Sequence, residues 1–261
     1  AFVFDRVTGE PVWPIEERAV GQTDVPGEQT AATQPFPTRP EPFDRQGVTL
    51  DDLIDFTPEL KKAAGEEISA FRIGPLFTPP SLSEAPDRTQ GTIQLPGSLG
   101  AANWSGGSVD PETGILYVGS MTGPSMRALG NDPDRSNMDF IQMRVAVPEP
   151  LGLPLIKPPW GRVTAIDLNT GDTKWTIANG ETPQYVLEHP ALQGIDISKT
   201  GKPIRSATLV TKTLLFVNGG WRQAGDPELR AHDKATGELL ETVELSAIPN
   251  GNPLTFMLNG R

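Results

Sequence analysis

The sequence predicts an all-β fold, an array of small antiparallel sheets stacked side by side or arranged around an axis. The first observation is repetition: Asp5-Arg-Val-Thr8-Gly9, Asp167-Leu-Asn-Thr170-Gly171 and Asp233-Lys-Ala-Thr236-Gly237 each close a strand-like segment. The second is a Trp four residues after the glycine, Trp13 and Trp175, with Glu241 in that slot of the third copy. The third is composition, since 27 Gly and 27 Pro among 261 residues exceed the usual share and fit a turn-dense β protein. Repeats of this kind mark arrays in which neighbouring units share a core.

Taken in chain order, the first copy runs from Val3 to Trp13 and predicts a hairpin. Its Asp bonds the backbone two residues on, and its Gly takes the left-handed conformation of a tight turn. A Trp at a fixed offset predicts a seam between sheets, because one indole buries a large apolar area there. The seam opposite Glu241 is expected to be weaker, or to lie at an edge. Residues 14–100 read as a proline-rich insert with helical pieces. Thr57-Pro58-Glu59 is a helix start, with a capping hydroxyl, Pro in the first turn and an acid at the positive end. Leu60, Ala63, Ala64, Ile68 and Phe71 share one face and Gly74 is a stop, so the spacing predicts a helix over 58–72 of about four turns. Such an insert caps a binding site or merely covers one face of the array.

Beyond it, Asp110-Pro-Glu-Thr113-Gly114 is a shorter relative of the turn, between the runs Trp104–Val109 and Ile115–Val118. Arg162–Ile166, Leu209–Val217 and Leu239–Leu245 also suit strands. Asn259-Gly260 is a strong hairpin signal at the end of the chain. With about 40–45 residues per four-stranded unit, the portions outside the insert supply three to four units. The absence of an initiator Met and the strand-like first residues are read as signs of an internal piece of a longer protein.

A net charge of −11 with no basic stripe argues against a nucleic-acid partner or an anionic membrane surface. Without cysteine there is no disulfide, thiolate catalysis or Cys-ligated metal, and no apolar run approaches the length of a membrane span. Asn131-Asp-Pro-Asp134-Arg-Ser-Asn137-Met-Asp139 looks like a calcium loop at a glance, but Asn137 replaces the turn glycine and Met143 the bidentate Glu. His189 and His232 have no metal-ligand spacing, and neither a Gly-x-Ser-x-Gly elbow nor a Gly-x-Gly-x-x-Gly loop occurs. The turn Asp residues recur at equivalent places, which marks them as scaffold rather than catalysts.

Several longer phrases carry a family likeness: Phe2 through Arg18, Thr33-Gln-Pro-Phe-Pro-Thr38, Phe43-Asp-Arg-Gln-Gly47, Ala102-Asn-Trp-Ser-Gly-Gly107 through Val118, and Lys157-Pro-Pro-Trp-Gly-Arg162. Across essentially the whole chain they resemble the pyrroloquinoline-quinone (PQQ)-dependent dehydrogenases, nearest the membrane-type glucose dehydrogenase branch. The resemblance implies part of an eight-bladed β-propeller with Trp-docking turns, and PQQ and Ca²⁺ near its axis. It implies oxidation of a sugar or alcohol hydroxyl: an Asp takes the hydroxyl proton, hydride passes to the quinone, and Ca²⁺ polarises the quinone carbonyl. A quinone or cytochrome then accepts the electrons. The branch implies a periplasmic location, with any inner-membrane anchor supplied upstream.

By the same resemblance the base and the Ca²⁺ ligands lie upstream of Ala1, so no catalytic or metal residue is assigned within the chain. Asn103 matches the family's inward-facing Asn beside the quinone, and Trp104 shapes the same wall. In Gly201-Lys-Pro-Ile-Arg205-Ser-Ala-Thr-Leu-Val210, Arg205 stands where alcohol-oxidising members carry an aromatic, a departure from the pattern. An Arg there would hold a quinone carboxylate through paired N–H donors. For each residue a plain structural role is the alternative, Asn103 as a turn former and Arg205 at a strand end. A non-catalytic propeller that scaffolds protein interactions is the second reading of the whole chain.

Overall fold

The computed structural model describes residues 1–83, 89–221, 224–249 and 251–258. Two four-stranded antiparallel sheets form the repeat array. In the first, β5 (Gly107–Asp110), β6 (Ile115–Met121), β9 (Gly161–Asp167) and β10 (Asp172–Ala178) follow one another across the sheet. In the second, β11 (Thr208–Val210), β12 (Leu214–Trp221), β13 (Ala224–Asp233) and β14 (Leu239–Glu244) do the same. Ahead of both, the Asp5 turn closes a hairpin through the Phe4–Pro11 bridge. Length arithmetic gave three to four such units, whereas the described residues build two complete ones and this hairpin. The difference lies between β6 and β9, where the chain leaves the sheet for a long excursion whose strands join a separate, mixed sheet instead of a further repeat unit.

All four turns share one geometry. The glycine N–H of each returns to the Asp carbonyl at 2.7–2.8 Å, and φ of Gly9, Gly114, Gly171 and Gly237 lies between 73° and 78°. In the outermost copies one Asp carboxylate oxygen accepts three bonds, from Val7 N, Thr8 N and Thr8 Oγ1 on Asp5, and from Ala235 N, Thr236 N and Thr236 Oγ1 on Asp233. These bonds hold the Asp5 and Asp233 carboxyls below their ordinary range, and the Asn169 N and Nδ2 donors do the same for Asp167, because each favours the charged form.

The Trp seams follow from this turn. A Cβ on Gly171 would come within 3.1 Å of the Trp13 ring, and one on Gly237 within 3.0 Å of the Trp175 ring. Each indole therefore lies flush on the turn glycine of a later unit. Trp175 Nε1 also donates to the Lys234 carbonyl at 3.3 Å, and its ring packs 5.8 Å from that of Tyr117. Between the two sheets Tyr117, Val163, Ala165, Leu215 and Val217 form a buried core with Trp175 at its margin. Glu241, in the vacant Trp slot, is exposed on β14.

A second, larger core belongs to the segments outside the sheets. β1 (Ile15–Ala19) pairs with β2 (Thr33–Pro37), and α1 (Pro58–Ile68) follows. β7 (Ser125–Gly130), from the excursion, pairs with β3 (Ser81–Leu82), β4 (Thr92–Gln94) and β8 (Ile141–Met143). A short helix, α2 (Gln184–Leu187), lies between the two sheets in sequence. Leu60, Ala64 and Ile68 on one face of α1 pack with Leu53, Ile54, Ile93, Leu153, Leu155, Trp160 and Val186. Thr57 caps α1 by accepting from Leu60 N at 3.0 Å.

Two element boundaries differ from the sequence expectation. The helix ends at Ile68, not near 72, because Ala70 and Arg72 give their backbone groups to Gln90, Gly91 and Ile93. Gly74 has another role there, its carbonyl accepting from Val48 N at 2.8 Å. The run Leu209–Val217 is two strands, folded at Thr211-Lys212-Thr213, where Thr211 N donates to Leu214 O at 2.8 Å. Apolar residues on both sides of the polar Thr-Lys-Thr turn made the run read as a single strand. The Asn259-Gly260 signal falls outside the described residues.

Candidate functional site

Antiparallel order places the start of β5, the end of β6, the start of β9 and the end of β10 at one end of the first sheet, since Gly107 pairs with Val118 and Met121 with Gly161. The start of β11 lies beside them, where Ser108 Oγ donates to Thr208 Oγ1 at 2.9 Å. Asn103 and Arg205 occupy the connections that lead directly into β5 and β11. Neighbouring sheets therefore deliver both to the same end.

Although remote in sequence, the two side chains meet at one atom. Asn103 Nδ2 donates to the Leu99 carbonyl at 2.8 Å, and Arg205 Nη2 donates to the same oxygen at 3.2 Å. Asn103 Oδ1 accepts from Trp104 N at 2.8 Å, and its carbonyl accepts from Gly106 N in a tight turn. Asn103 is thus a turn former, and it is also exposed, with one amide N–H and one oxygen lone pair beyond these bonds. Trp104 is 88 % exposed in that turn, outside the run in which the sequence placed it with β5. Next to it Ser105 Oγ is buried and has no hydrogen-bond partner among the described residues.

An indole face, a guanidinium and an amide gathered at one end of adjoining sheets suit a flat, anionic, hydrogen-bonding ligand. Among the described residues no group of three or more His, Cys, Asp or Glu side chains converges to hold a metal ion. His189 accepts from Ala191 N at Nδ1, so its Nε2 is the protonated nitrogen and donates to Leu151 O at 2.8 Å. His232 is buried with Nδ1 against Gly237 O, and desolvation lowers its pKa. Each ring faces a backbone carbonyl, Leu151 O for His189 and Gly237 O for His232.

Two segments far apart in sequence, 43–47 and 157–162, join in a way that neither signals by itself. Asp44 pairs with Arg162 at 3.3 Å, Thr122 Oγ1 donates to Asp44 at 2.7 Å, and the Arg45 guanidinium donates to the carbonyls of Lys157 and Pro158. This buried junction clamps residues 43–47 onto the start of β9. A further polar group between the sheets, Asn179, Ser206 and Arg230, was also missed, because each is an ordinary residue in an unremarkable segment.

Comparison with known proteins came down on one family. The PQQ glucose/ethanol/alcohol dehydrogenase β-propeller domain matches residues 1–261. A quinoprotein glucose dehydrogenase of Escherichia coli K12 is 29% identical over 289 residues, covering 100% of this chain and 34% of the relative. Quinoprotein glucose dehydrogenase A of Acinetobacter calcoaceticus is 28% identical, with coverage of 100% and 34%. The quinate/shikimate dehydrogenase (quinone) of Acinetobacter baylyi is 25% identical, with coverage of 98% and 33%. The chain spans about a third of the length of these relatives.

Proposed function

This chain belongs to the PQQ-dependent dehydrogenase β-propeller family, and on that premise we propose that it forms part of an enzyme oxidising a sugar or alcohol hydroxyl. A glucose-like sugar is the substrate class of this reading, with a quinone or cytochrome as electron acceptor. The full-length protein then closes an eight-bladed propeller and works in the periplasm. The observation that carries the reading is the meeting of Asn103 and Arg205 on the Leu99 carbonyl, beside the exposed Trp104.

PQQ, when bound, supplies the hydride acceptor. The chain's own part is to hold and orient it. Asn103 donates its second amide N–H, or accepts at its oxygen, at the edge of the ligand. Arg205 keeps N–H groups beyond the one on Leu99 and pairs them with a carboxylate, a charge-assisted contact stronger than a neutral one. Trp104 presents a flat wall that excludes water from one side. The base that takes the substrate proton and the carboxylates that hold Ca²⁺ belong, in this reading, to the part of the longer relatives that this chain does not span.

The test is reconstitution of the full-length protein with PQQ and Ca²⁺, followed by dye reduction with glucose, other aldoses, polyols and primary alcohols. Cofactor-dependent turnover with at least one of these is expected. For Asn103→Ala the expectation is roughly tenfold weaker PQQ retention, the size of one lost hydrogen bond to a charged group, with thermal stability nearly kept. A reconstituted protein without cofactor-dependent turnover would defeat the proposal.

A further inference from the structure

The seam between the two sheets has an apolar middle and a polar cluster at each end, Asp110 with Lys234 at one and a second group at the end that carries Asn103 and Arg205. There Arg230, 4% exposed on β13, donates from Nε to Glu228 Oε1 at 2.6 Å and from Nη1 to Asn179 Oδ1. Asn179, 2% exposed immediately after β10, donates from Nδ2 to Ser206 Oγ at 2.6 Å. Ser206 is 1% exposed and is the residue after Arg205. From there Arg205 reaches Leu99, and Leu99 holds Asn103.

Backbone packing makes this connection unusually close. Asn179 N donates to Gly161 O and Asn179 O accepts from Lys202 N, both at 2.9 Å. A Cβ on Gly161 would lie 1.9 Å from Lys202 O, so only glycine permits the approach. Lys202 Nζ in turn grips both carboxylate oxygens of Asp226 at 2.6 and 2.7 Å. The loop 200–207 is thus fixed from both sheets before β11 begins.

Stability alone does not account for the arrangement. Arg230 Nη2 is buried without a partner among the described residues, and a buried cation with an unmade hydrogen bond is costly where an apolar side chain of similar volume would pack. Apolar contacts set how far apart two sheets stand, whereas directional bonds set their register. We infer that Arg230, Asn179 and Ser206 form a buried positioning relay that sets Arg205, and through Leu99 the Asn103 amide, at the angle the cofactor needs. This rests on the cofactor-contact reading of Asn103 and Arg205, and adds three residues that touch neither substrate nor cofactor.

The experiment titrates PQQ into the metal-reconstituted full-length apoprotein and measures affinity, Tm, kcat and KM for Arg230→Met, Asn179→Ala, Ser206→Ala and Asn103→Ala. The relay predicts about tenfold weaker PQQ binding for Arg230→Met and Asn179→Ala, with Tm nearly held. Arg205→Ala combined with Asn179→Ala should cost less than the sum of the single changes, as for residues acting in series. Ser206→Ala removes one hydroxyl and should shift affinity the same way by a smaller factor; if the larger changes prevent folding, this variant decides. A lowered Tm with unchanged PQQ affinity in all three would reduce the relay to ordinary core and overturn the inference. Unchanged affinity in Asn103→Ala would instead remove the cofactor-contact reading beneath it.

Discussion

At the residue scale, one carboxylate does more than form its turn. Asp110 accepts from Glu112 N at 3.1 Å and Thr113 Oγ1 at 2.6 Å as its counterparts do, and it also takes the Lys234 ammonium at 2.6 Å from the second sheet. That ammonium, then the Thr113 hydroxyl, hold the Asp110 carboxyl down at about 2. The Lys234 carbonyl meanwhile accepts from Tyr117 Oη and Trp175 Nε1, so a single residue ties three others across the seam. Burial and the nearby Asp110 and Asp233 charges push the Tyr117 phenol up to about 12, which keeps it a neutral donor at any working pH. A carboxyl whose folded pKa is depressed stabilises the fold above its unfolded value and loses that contribution as pH falls through the folded one. Thermal unfolding of Asp110→Asn should therefore show a lower Tm than wild type at pH 7, with the gap closing as pH is lowered from about 4 toward 2. A gap independent of pH would mean that the charge on Asp110 contributes nothing to the seam.

At the element scale, the turn-and-indole unit was legible because each part of it is local. Asp, Thr and Gly at fixed spacing specify one hairpin through bonds within five residues, and the Trp follows at a constant offset. What it docks on was readable only as a seam between sheets; that the target is the turn glycine of a later unit required the coordinates. Gly237→Ala places a side chain at φ 78° and against the Trp175 ring. Differential unfolding should register a loss of about 1–2 kcal/mol from the left-handed backbone alone, and more from the contact. Trp175→Ala should cost about 3 kcal/mol, the lower end for this truncation because part of the indole is exposed. If both variants unfold like wild type, the docking is not what joins the sheets. The misplaced end of α1 and the hidden fold at Thr211 have the opposite character. Ladder bonds from Gln90, Gly91 and Ile93 outcompete a helical continuation that the apolar spacing favoured, and no local pattern reports a distant strand.

On the scale of the whole molecule, two cores divide the work. The seam core holds the sheets together, and the larger one binds α1 and the excursion between β6 and β9 into a single layer. Leu60, fully buried at the centre of that layer, is a direct probe of it: Leu60→Ala should lose about 2–5 kcal/mol by denaturant unfolding, and a loss under about 1 would mean the layer is loosely packed. Membership of the dehydrogenase family was readable in phrases such as Ala102-Asn-Trp-Ser-Gly, which also put Asn103 forward as a candidate. The relay behind it was not, because Asn179, Ser206 and Arg230 acquire meaning only when β10, the loop before β11 and β13 are brought together. In the proposed reading, the end of the sheets where Asn103 and Arg205 meet on Leu99 receives the quinone. That placement is tested most directly by a crystal structure of the full-length protein loaded with PQQ and Ca²⁺. A quinone oxygen or carboxylate within hydrogen-bond distance of Asn103 Nδ2 and of an Arg205 nitrogen is expected; PQQ bound beyond the reach of both side chains would refute this placement.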